Sequence, residues 1–390
     1  RSFACELFLL VPDVLLELKY NQPSCQSSFC HHTVIRINNL ITTFDSLGSK
    51  NVKKYHLTEF IREAQELPLL DVRSPAEFET GHLPGAISFP LFSNEERAEI
   101  GTLYKQEGKP EAIKRGLDII GPKMRQFIEK AAALESTQLA LYCWRGGMRS
   151  ESMAWLFERY GMETVVLEGG YKTYRRAVLQ FFDQKLPIVV LTGYTGSQKT
   201  RLLHLMREEG AQVIDLEGLA NHQGSSFGNR KSSGQPPTEH FQNLVYEAFI
   251  GMDFNRPIWI EDESKHIGQV SLPDALYDQK SNCPHVFVEI EPAERVDFLV
   301  QDYGELSAAQ LIAATHSIQP KLGNDKATKA ITAIESGDLK TAASLILTYY
   351  DSRYRKSIQR KSKLIQKHYQ IPMAEIPNLA QELARWHPKS

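Results

Sequence analysis

The segment CWRGGMRS places a cysteine where nucleophilic chemistry is favoured. Cys143 begins this segment, and two glycines and two arginines, Arg145 and Arg149, follow within six residues. An apolar run of strand type precedes the cysteine and a run with helical periodicity follows it, so free backbone N–H groups and the positive end of a helix dipole should face the sulfur. Glycine lets such a loop curl with its amides inward, and the arginines add positive charge. We therefore predict a thiolate nucleophile at Cys143, in preference to the structural role that a buried free thiol usually has.

A second segment, GYTGSQKT, predicts a phosphate-binding loop. It follows an apolar run, and a glycine-rich turn between a strand and a helix directs backbone N–H groups and the helix N-terminus at a phosphate. Gly193, Gly196 and Lys199 are the expected phosphate contacts, and Thr200 is placed to hold a magnesium ion. The usual pattern is G-x-x-x-x-G-K-[ST], and Gln198 stands where its second glycine belongs. We expect the side chain of Gln198 to crowd a bound phosphate or to strain the turn.

Two carboxylates follow the next predicted strand of the same region. The segment PIWIED reads as a buried strand that ends in Glu261 and Asp262. We interpret these residues as a general base or as metal ligands, and the alternative is a solvated acidic strand end. The stretch from Cys25 to His32 contains soft ligands, but its spacing matches no zinc pattern, so we predict no metal site there.

The strongest basic run of the chain lies near its C-terminus, where residues 352–374 contain no Asp or Glu. The net charge of the whole chain is −2, so an RNA footprint must be a local patch of this kind. Read as a helix, the run places four cations on one face and apolar residues on the opposite face. The four cations are Lys356, Arg360, Lys363 and Lys367, and Arg353 and Arg355 precede them. We predict that this stripe contacts RNA phosphates, and the alternative is a solvated helix face.

Length and composition limit what the chain can be. A chain of 390 residues predicts two or three folding units of about 150 residues each. Its five cysteines include no Cys-x-x-Cys pair, which favours a reducing cytoplasm over a disulfide framework. No uncharged stretch of about 18 residues occurs, so we expect no membrane span. The apolar run near the N-terminus is interrupted by Asp13, which argues against a signal peptide.

The elements around the candidate sites alternate between strands and helices. The segment PLLDVRSPAEFETGHLPGAISFP reads as a strand, a capped short helix, a turn and a strand. A polar break precedes the strand of the phosphate loop, so we place a domain boundary near residue 184. The predicted organisation is an unassigned N-terminal extension (1–52), two α/β domains (53–184 and 185–350) and a basic helical C-terminal region (351–390).

The first of these domains resembles the rhodaneses. The resemblance rests on Asp71-Val72-Arg73, on the stretch GHLPGA and on the Cys143 loop, and it spans about residues 55–182. In rhodaneses the loop cysteine carries a sulfane sulfur as a persulfide, which the resemblance implies for Cys143. Cysteine phosphatases use the same spacing between cysteine and arginine that separates Cys143 from Arg149, so a phosphatase is the competing enzyme class.

Segments from both domains resemble the tRNA 2-selenouridine synthases. They are NEERAEIGTLYKQEG at 94–108, VIDLEGLANHQGSSFGN at 213–229 and IEDESKHIG at 260–268. Together with the two loops they extend the resemblance over roughly residues 55–355. The family implies an α/β fold, in which a rhodanese-like domain is followed by a P-loop NTPase-like domain with a parallel sheet and by a helical C-terminal region.

The resemblance also implies an activity. Members of the family convert the wobble 2-thiouridine of tRNA to 2-selenouridine through an S-geranylated intermediate, with geranyl diphosphate and selenophosphate as co-substrates and no tightly bound cofactor. The implied partners are tRNA and an enzyme that produces selenophosphate. Three classes stay open: this synthase, a rhodanese-type sulfurtransferase or cysteine phosphatase fused to a kinase-like P-loop domain, and a silent module that only binds RNA or phosphate.

Overall fold

The computed structural model describes residues 52–222, 234–303 and 306–388. The predictions for the N-terminal extension, including the soft ligands between Cys25 and His32, lie outside these residues. The part of the 213–229 segment that follows residue 222 also lies outside them.

The first domain is built around a parallel sheet. Its described strands are β1 (Lys53–Tyr55), β2 (Leu69–Asp71), β3 (Ile87–Ser88), β4 (Gln138–Tyr142) and β5 (Glu163–Leu167). They lie in the order β1-β5-β4-β2-β3, and β4 pairs in parallel with both β2 and β5. The central strand β4 is buried from its second residue onward, because a parallel sheet is covered on both faces. This confirms the buried strand predicted directly before Cys143.

Helices connect these strands and pack on the sheet. They are α1 (Leu57–Ala64), α2 (Pro75–Thr80), α3 (Asn94–Gln106), α4 (Lys109–Ile120), α5 (Met124–Ala132), α6 (Met148–Tyr160) and α7 (Gly170–Phe181), with a 3-10 turn at Gly121–Lys123. The predicted short helix is α2, which has a proline in its first turn and a capping box made by Ser74 and Glu77. Because α6 begins five residues after Cys143, its N-terminus lies beside the cysteine loop.

The second domain also contains a parallel sheet. Its strands and a small hairpin are β6 (Ile188–Gly193), β7 (Gln212–Ile214), β8 (Ile258–Glu261), the antiparallel pair β9 (His266–Ile267) and β10 (Val270–Ser271), β11 (His285–Glu289) and β12 (Ile365–Gln370). The sheet has the order β12-β11-β6-β8-β7 with parallel pairs throughout. The phosphate-loop strand β6 is central and fully buried, and β8 is the strand predicted from PIWIED.

The helices of the second domain fall into two groups. The group that packs around the sheet comprises α8 (Lys199–Glu208), α9 (Leu216–Leu219), α10 (Thr238–Ile250), α11 (Asp274–Lys280) and α12 (Pro292–Tyr303). A helical insert of α13 (Ala308–Leu322), α14 (Asn324–Glu335) and α15 (Leu339–Arg360) precedes β12, and a 3-10 turn (Met373–Glu375) and α16 (Ile376–Ala384) follow it. None of the described helices has the length and apolar character needed to cross a membrane.

The two domains share one apolar core. The ring of Phe182, which follows α7, meets the ring of Phe249 of α10 edge to face with centroids 5.7 Å apart. Tyr174 of α7 meets Tyr246 of α10 in the same way at 5.8 Å. The cluster continues without interruption from the first sheet to the second. The chain from Lys54 onward therefore forms one compact unit.

The basic run near the C-terminus is not one helix, contrary to the sequence prediction. Helix α15 ends at Arg360, residues 361–364 form a turn, and the following residues form β12. The segment IQKHYQ alternates between half-buried and exposed residues, and this period of two is that of a strand. Lys367 therefore lies on a different element from Lys356 and Arg360. The prediction that the four cations share one face of a single helix is therefore wrong.

Candidate functional site

Cys143 lies directly after β4, at the N-terminus of α6, as the sequence predicts. Its side chain is only 3% exposed. The hydroxyl of Ser150, one turn into α6, donates a hydrogen bond to the Cys143 sulfur at 3.3 Å. Ser150 itself is buried, so this donor has a fixed position. The same hydroxyl also lies 3.1 Å from the carbonyl oxygen of Gly147, and Ser150 is a site residue that was not predicted from the sequence.

The cysteine loop is held by close contact between two backbone segments. Gly146 has a φ of +61°, and a Cβ there would lie 2.3 Å from the carbonyl oxygen of Leu167. Gly170, at the start of α7, has a φ of +60°, and its Cβ would lie 2.3 Å from the carbonyl oxygen of Cys143. The backbone N–H of Tyr171 donates to that same oxygen at 2.8 Å. Only glycine fits at these two positions, so the turn after β5 is part of the site. The two consecutive glycines in the segment EGGY could have indicated this turn from the sequence.

The two predicted arginines are placed differently. Nη1 and Nη2 of Arg149 donate to Oε2 and Oε1 of Glu77 at 2.7 and 3.3 Å. Burial alone would raise the pKa of Glu77, but the bonds and charge of Arg149 outweigh it and hold that pKa below its usual value. Arg145 is exposed. The loop therefore keeps one arginine at the surface, and the guanidinium of the other is already occupied by a carboxylate.

The rhodanese-like motif Asp71-Val72-Arg73 has a structural role. Arg73 and Asp71 form a buried ion pair with Nη2 and Oδ2 2.6 Å apart. Nη2 of Arg73 also donates to the carbonyl of Gly81 at 2.7 Å, and its guanidinium lies 3.9 Å from the ring centre of Tyr171. The backbone N–H of Tyr171 donates to the Cys143 carbonyl, so Arg73 supports the cysteine loop through its contact with the Tyr171 ring.

Helix α10 of the second domain contacts Tyr171, the residue whose backbone N–H holds the cysteine loop. The side-chain amide of Asn243 donates to the hydroxyl of Tyr171 at 2.9 Å and to the carbonyl of His82 at 3.0 Å. The Tyr171 hydroxyl in turn donates to Oε1 of Glu239 at 2.8 Å. The rings of His82 and His240 stack with centroids 3.9 Å apart, and burial together with the neighbouring ring lowers the pKa of His240 to about 4. The second domain thus contacts the residues that position the cysteine.

The phosphate loop joins β6 to α8 as predicted. The Lys199 ammonium donates to the carbonyls of Gly193 and Tyr194 at 3.2 and 3.3 Å, so its side chain folds back over the loop. The hydroxyl of Thr200 donates to Oε2 of Glu217 at 3.2 Å. These residues lie at the carboxyl end of a central parallel strand, which is where open α/β sheets bind their ligands. The Lys199 ammonium therefore lies over the loop with two backbone carbonyls as its partners.

Gln198 adopts the left-handed conformation that favours glycine, with φ +54° and ψ +36°. Its side chain leaves the loop, because its amide nitrogen contacts the sulfur of Met373 at 2.7 Å and its amide oxygen accepts from Arg201 at 2.8 Å. Of the two expected effects, the structure shows a strained turn and no crowding of the loop. Gly196, with φ +81°, lies so close to α12 that a Cβ would come within 3.1 Å of Leu299.

The two predicted carboxylates have opposite environments. Asp262 binds Lys280 at 3.1 Å and Lys361 at 2.6 Å, and these cations outweigh its burial and lower its pKa. Glu261 is 1% exposed, and burial followed by the charge of Glu217 raises its pKa well above the usual value. Its Oε1 has no hydrogen-bond partner among the described residues. Asp262 is committed to ion pairs, and Glu261 is the carboxyl that can act as a base or bind a ligand.

Glu263 extends this group of carboxylates and was not predicted as a site residue. Burial, followed by the charge of Glu217, raises its pKa to about 8. The described residues include no group of three or more His, Cys, Asp or Glu arranged for a metal ion. Mg²⁺ in a phosphate site needs only one or two carboxylates beside substrate oxygens and water. Thr200 and the free oxygen of Glu261 fit that limited requirement.

The predicted RNA-binding residues separate into exposed and paired cations. Lys367 binds Glu382 at 2.8 Å, and Lys361, which precedes β12, points inward to Asp262. Arg353 donates to the hydroxyl of Tyr349 at 2.8 Å but remains exposed. The exposed members of the run are Arg353, Arg355, Lys356, Arg360 and Lys363. These five residues, called the α15 patch below, are what remains of the predicted RNA surface.

Comparison with known proteins gives matches in both domains. Residues 56–177 match the rhodanese-like domain family, and residues 186–336 match the family described as tRNA 2-selenouridine synthase AAA domain. A tRNA 2-selenouridine synthase of Nitrosomonas europaea is 37% identical over 61% of this chain and 64% of its own length. Those of Alcanivorax borkumensis and Bdellovibrio bacteriovorus are 38% and 31% identical, over 67% and 81% of this chain and 73% and 94% of their own lengths.

One solved structure also resembles part of the chain. It is the N-terminal domain of a putative ATP/GTP binding protein from Clostridium difficile 630, which is 42% identical and aligns with 33% of this chain and 98% of its own. The TM-score of that match is 0.29.

Proposed function

The chain belongs to the family of tRNA 2-selenouridine synthases, and from this premise we propose that it converts wobble 2-thiouridine in tRNA to 2-selenouridine through an S-geranylated intermediate. The observation that carries the proposal is the presence, in one compact unit, of a buried thiol at a helix N-terminus and of a lysine-containing phosphate loop. A buried thiol and a separate phosphate loop suit a reaction that transfers selenium in one step and releases diphosphate, from geranyl diphosphate, in another.

In the first step the phosphate loop holds the diphosphate of geranyl diphosphate. The sulfur of the thiouridine attacks C1 of the geranyl group, the C1–O bond breaks, diphosphate leaves with the electron pair, and N3 of the base loses its proton. The amides of the loop and Lys199 stabilise the charge that develops on the leaving diphosphate. Thr200 and Glu261 would hold Mg²⁺, which would neutralise further charge on the same group.

In the second step selenium replaces the alkylated sulfur. The C2–Se bond forms, the C2–S bond breaks, geranylthiol leaves with a proton, and water releases the phosphate of selenophosphate. Alkylation makes the sulfur a better leaving group, because a thiol leaves more readily than a dianionic sulfide. We assign Cys143 to this step as the residue that positions the selenium of selenophosphate against C2, without forming a sulfur–selenium bond, so that the step needs no oxidant. The hydroxyl of Ser150 and the N-terminus of α6 lie beside its sulfur.

The phosphatase alternative has less support than the synthase. A cysteine phosphatase needs a free arginine fork to bind the phosphate dianion in two places. The fork of Arg149 is filled by Glu77.

We also propose that the α15 patch contacts tRNA phosphates and that a selenophosphate-producing enzyme supplies the second co-substrate. The protein would act in the cytoplasm, where tRNA is modified and thiols stay reduced.

Separate loss of the two steps would test the proposal. With 2-thiouridine tRNA, geranyl diphosphate and selenophosphate, Cys143→Ser should form the S-geranyl nucleoside and lose 2-selenouridine. Lys199→Ala should lose geranylation by about tenfold or more, since a charged hydrogen bond contributes roughly 1.5–3 kcal/mol. Mass spectrometry of the digested tRNA measures both products.

A second cysteine of the chain provides the matched control. Cys283 is a free cysteine whose pKa burial raises to about 12, so Cys283→Ser should retain both steps. Normal formation of 2-selenouridine by Cys143→Ser would remove the chalcogen role from Cys143. A wild-type protein that forms neither product, or that hydrolyses phosphotyrosine with sustained turnover, would overturn the proposed function.

A further inference from the structure

Tyr171, near the start of α7, bonds to the cysteine loop through its main chain. Its backbone N–H donates to the carbonyl oxygen of Cys143 at 2.8 Å, and the N–H of Lys172 donates to that of Trp144 at 3.0 Å. Donors in the first turn of a helix have no acceptor within the helix, so the loop carbonyls satisfy them. Any displacement of the start of α7 therefore displaces the backbone of the cysteine as well.

The side chain of Tyr171 is held by the second domain. Tyr171 is buried, and burial raises the pKa of its hydroxyl, so the hydroxyl keeps its proton and donates to Oε1 of Glu239 at 2.8 Å. The same hydroxyl accepts from the side-chain amide of Asn243 at 2.9 Å. Both partners lie on α10. The hydroxyl thus uses its single donor and one acceptor position on that helix.

The amide of Asn243 has a fixed orientation. Asn243 is buried, and its amide oxygen accepts from Nη1 of Arg175 at 2.9 Å. Its amide nitrogen is then left to donate to the Tyr171 hydroxyl and to the carbonyl of His82. A buried polar group whose donors and acceptor all have partners is rigidly held, so α10 presents a precise contact to Tyr171.

This contact depends on the absence of a side chain at Gly81. A Cβ there would lie 2.8 Å from the Tyr171 hydroxyl and 3.0 Å from Cγ of Glu239. The φ of Gly81 is 168°, an extended conformation that any residue adopts, so the requirement for glycine comes from space alone. The stretch GHLPGA therefore begins at the point where α10 reaches Tyr171.

We infer that Tyr171 is a positioning residue for Cys143, and that Glu239 and Asn243 act through it. The second domain then sets the position of the reactive sulfur in addition to holding the phosphate loop. This inference rests on the proposed function, because it takes selenium transfer as the step that Cys143 serves. The sulfur belongs to a residue that is only 3% exposed. Release of Tyr171 should therefore make the sulfur more accessible to a small reagent and less well placed for its substrate.

Tyr171→Phe removes the hydroxyl, and Tyr174→Phe is its matched control. The hydroxyl of Tyr174 also donates to a glutamate of α10, Glu247, at 3.0 Å, but its residue does not bond to the cysteine loop. Tyr171→Phe should speed the alkylation of Cys143 by iodoacetamide. It should also lower kcat for selenium transfer to S-geranylated tRNA by about tenfold or more, with KM for that tRNA unchanged. Tyr174→Phe should leave all three quantities at their wild-type values.

Mass spectrometry of the Cys143 peptide measures the alkylation, and steady-state kinetics measures the transfer. Alkylation requires no tRNA, so it tests the inference independently of the proposed function. Tyr171→Phe should retain geranylation, the step of the phosphate loop, which would show that the variant is folded. Wild-type alkylation of Tyr171→Phe would overturn the inference and leave the proposed function standing. Equal changes in the two tyrosine variants would also overturn it, because the effect would then belong to the domain contact in general.

Glu239 provides a second test that leaves the buried residues intact. Its side chain is 31% exposed, so the protein should fold when this residue is replaced. Glu239→Gln keeps an oxygen that accepts from the Tyr171 hydroxyl, whereas Glu239→Ala removes it. Glu239→Ala should therefore reproduce the faster alkylation and lower kcat of Tyr171→Phe, and Glu239→Gln should restore the wild-type values. If the two variants behave alike, the hydrogen bond to Tyr171 does not position the cysteine and the inference is wrong.

Discussion

Gln198 is the residue at which the phosphate loop departs from its usual pattern. A non-glycine residue in the left-handed region costs roughly 1–2 kcal/mol, and Gln198 is held there by contacts with Met373 and Arg201. These contacts direct its side chain away from the space that a phosphate would occupy. Glutamine in place of glycine at position 198 is therefore expected to lower the stability of the turn and to leave ligand affinity unchanged.

Two substitutions at this position separate strain from binding. Gln198→Gly should keep the free energy of unfolding within about 1 kcal/mol of wild type, because relief of strain offsets the removal of the side-chain amide and the greater chain entropy of glycine. Gln198→Val should lower it, because a β-branched side chain is strongly disfavoured at positive φ. Neither change should alter the affinity for inorganic diphosphate by more than about twofold. Chemical denaturation and calorimetric titration measure the two quantities, and a tenfold change in affinity for Gln198→Gly would mean that the glutamine contacts the ligand.

Helices and strands could be predicted from the sequence where neighbouring residues determine them, and could not where a distant partner does. Strand β4, helix α2 and the phosphate loop follow from short patterns, and each forms where the sequence predicts it. Strand β12 was mistaken for a helix because its one lysine, Lys367, also fits a helical face with the cations before it. Only pairing with β11, about eighty residues earlier, decides the matter. The contact between Arg149 and Glu77 likewise joins residues 72 positions apart. Such partners are set by topology, so the local sequence could not identify them.

The division of the basic run gives a prediction for tRNA binding. Changing Arg353, Lys356 and Arg360 of the α15 patch to glutamine should flatten the salt dependence of tRNA binding by about one slope unit for each phosphate that the patch no longer neutralises. The control is Lys367→Gln, because that lysine is paired with Glu382 and should leave the slope unchanged. Filter binding over a series of salt concentrations measures the slope. Equal slopes for the triple variant and wild type would make the patch an ordinary solvated surface.

The shared apolar core couples the two domains. The sequence places a boundary near residue 184, between Phe182 and the first residue of β6, Ile188. The rings on either side of this boundary nevertheless pack into one cluster. The local sequence shows the aromatic residues of α7 and α10 only as the apolar faces of two separate helices. In the tertiary structure these two faces pack against each other, which makes the domains one folding unit.

A substitution in this core should destabilise both domains together. Phe249 is fully buried against Phe182, so Phe249→Ala should lower the free energy of unfolding by about 3–5 kcal/mol. Limited proteolysis should then cleave both domains at the same denaturant concentration. A control is Phe254→Ala, since Phe254 is 42% exposed and should cost far less. If protease cleaves the second domain of the variant while the first domain remains resistant, the two domains fold separately.

The position of β12 in the sheet has a consequence for how the protein is made. β11 ends at Glu289, but the strand that covers its outer edge begins at Ile365, after the whole helical insert. During synthesis the ribosome must therefore complete four helices while a buried-type strand, His285–Glu289, still has an open edge. An uncovered edge of this kind is a template for pairing with another chain. A nascent chain that stalls within the insert, or one truncated by a premature stop before residue 365, should accumulate as aggregate, whereas one that reaches β12 closes the sheet by itself.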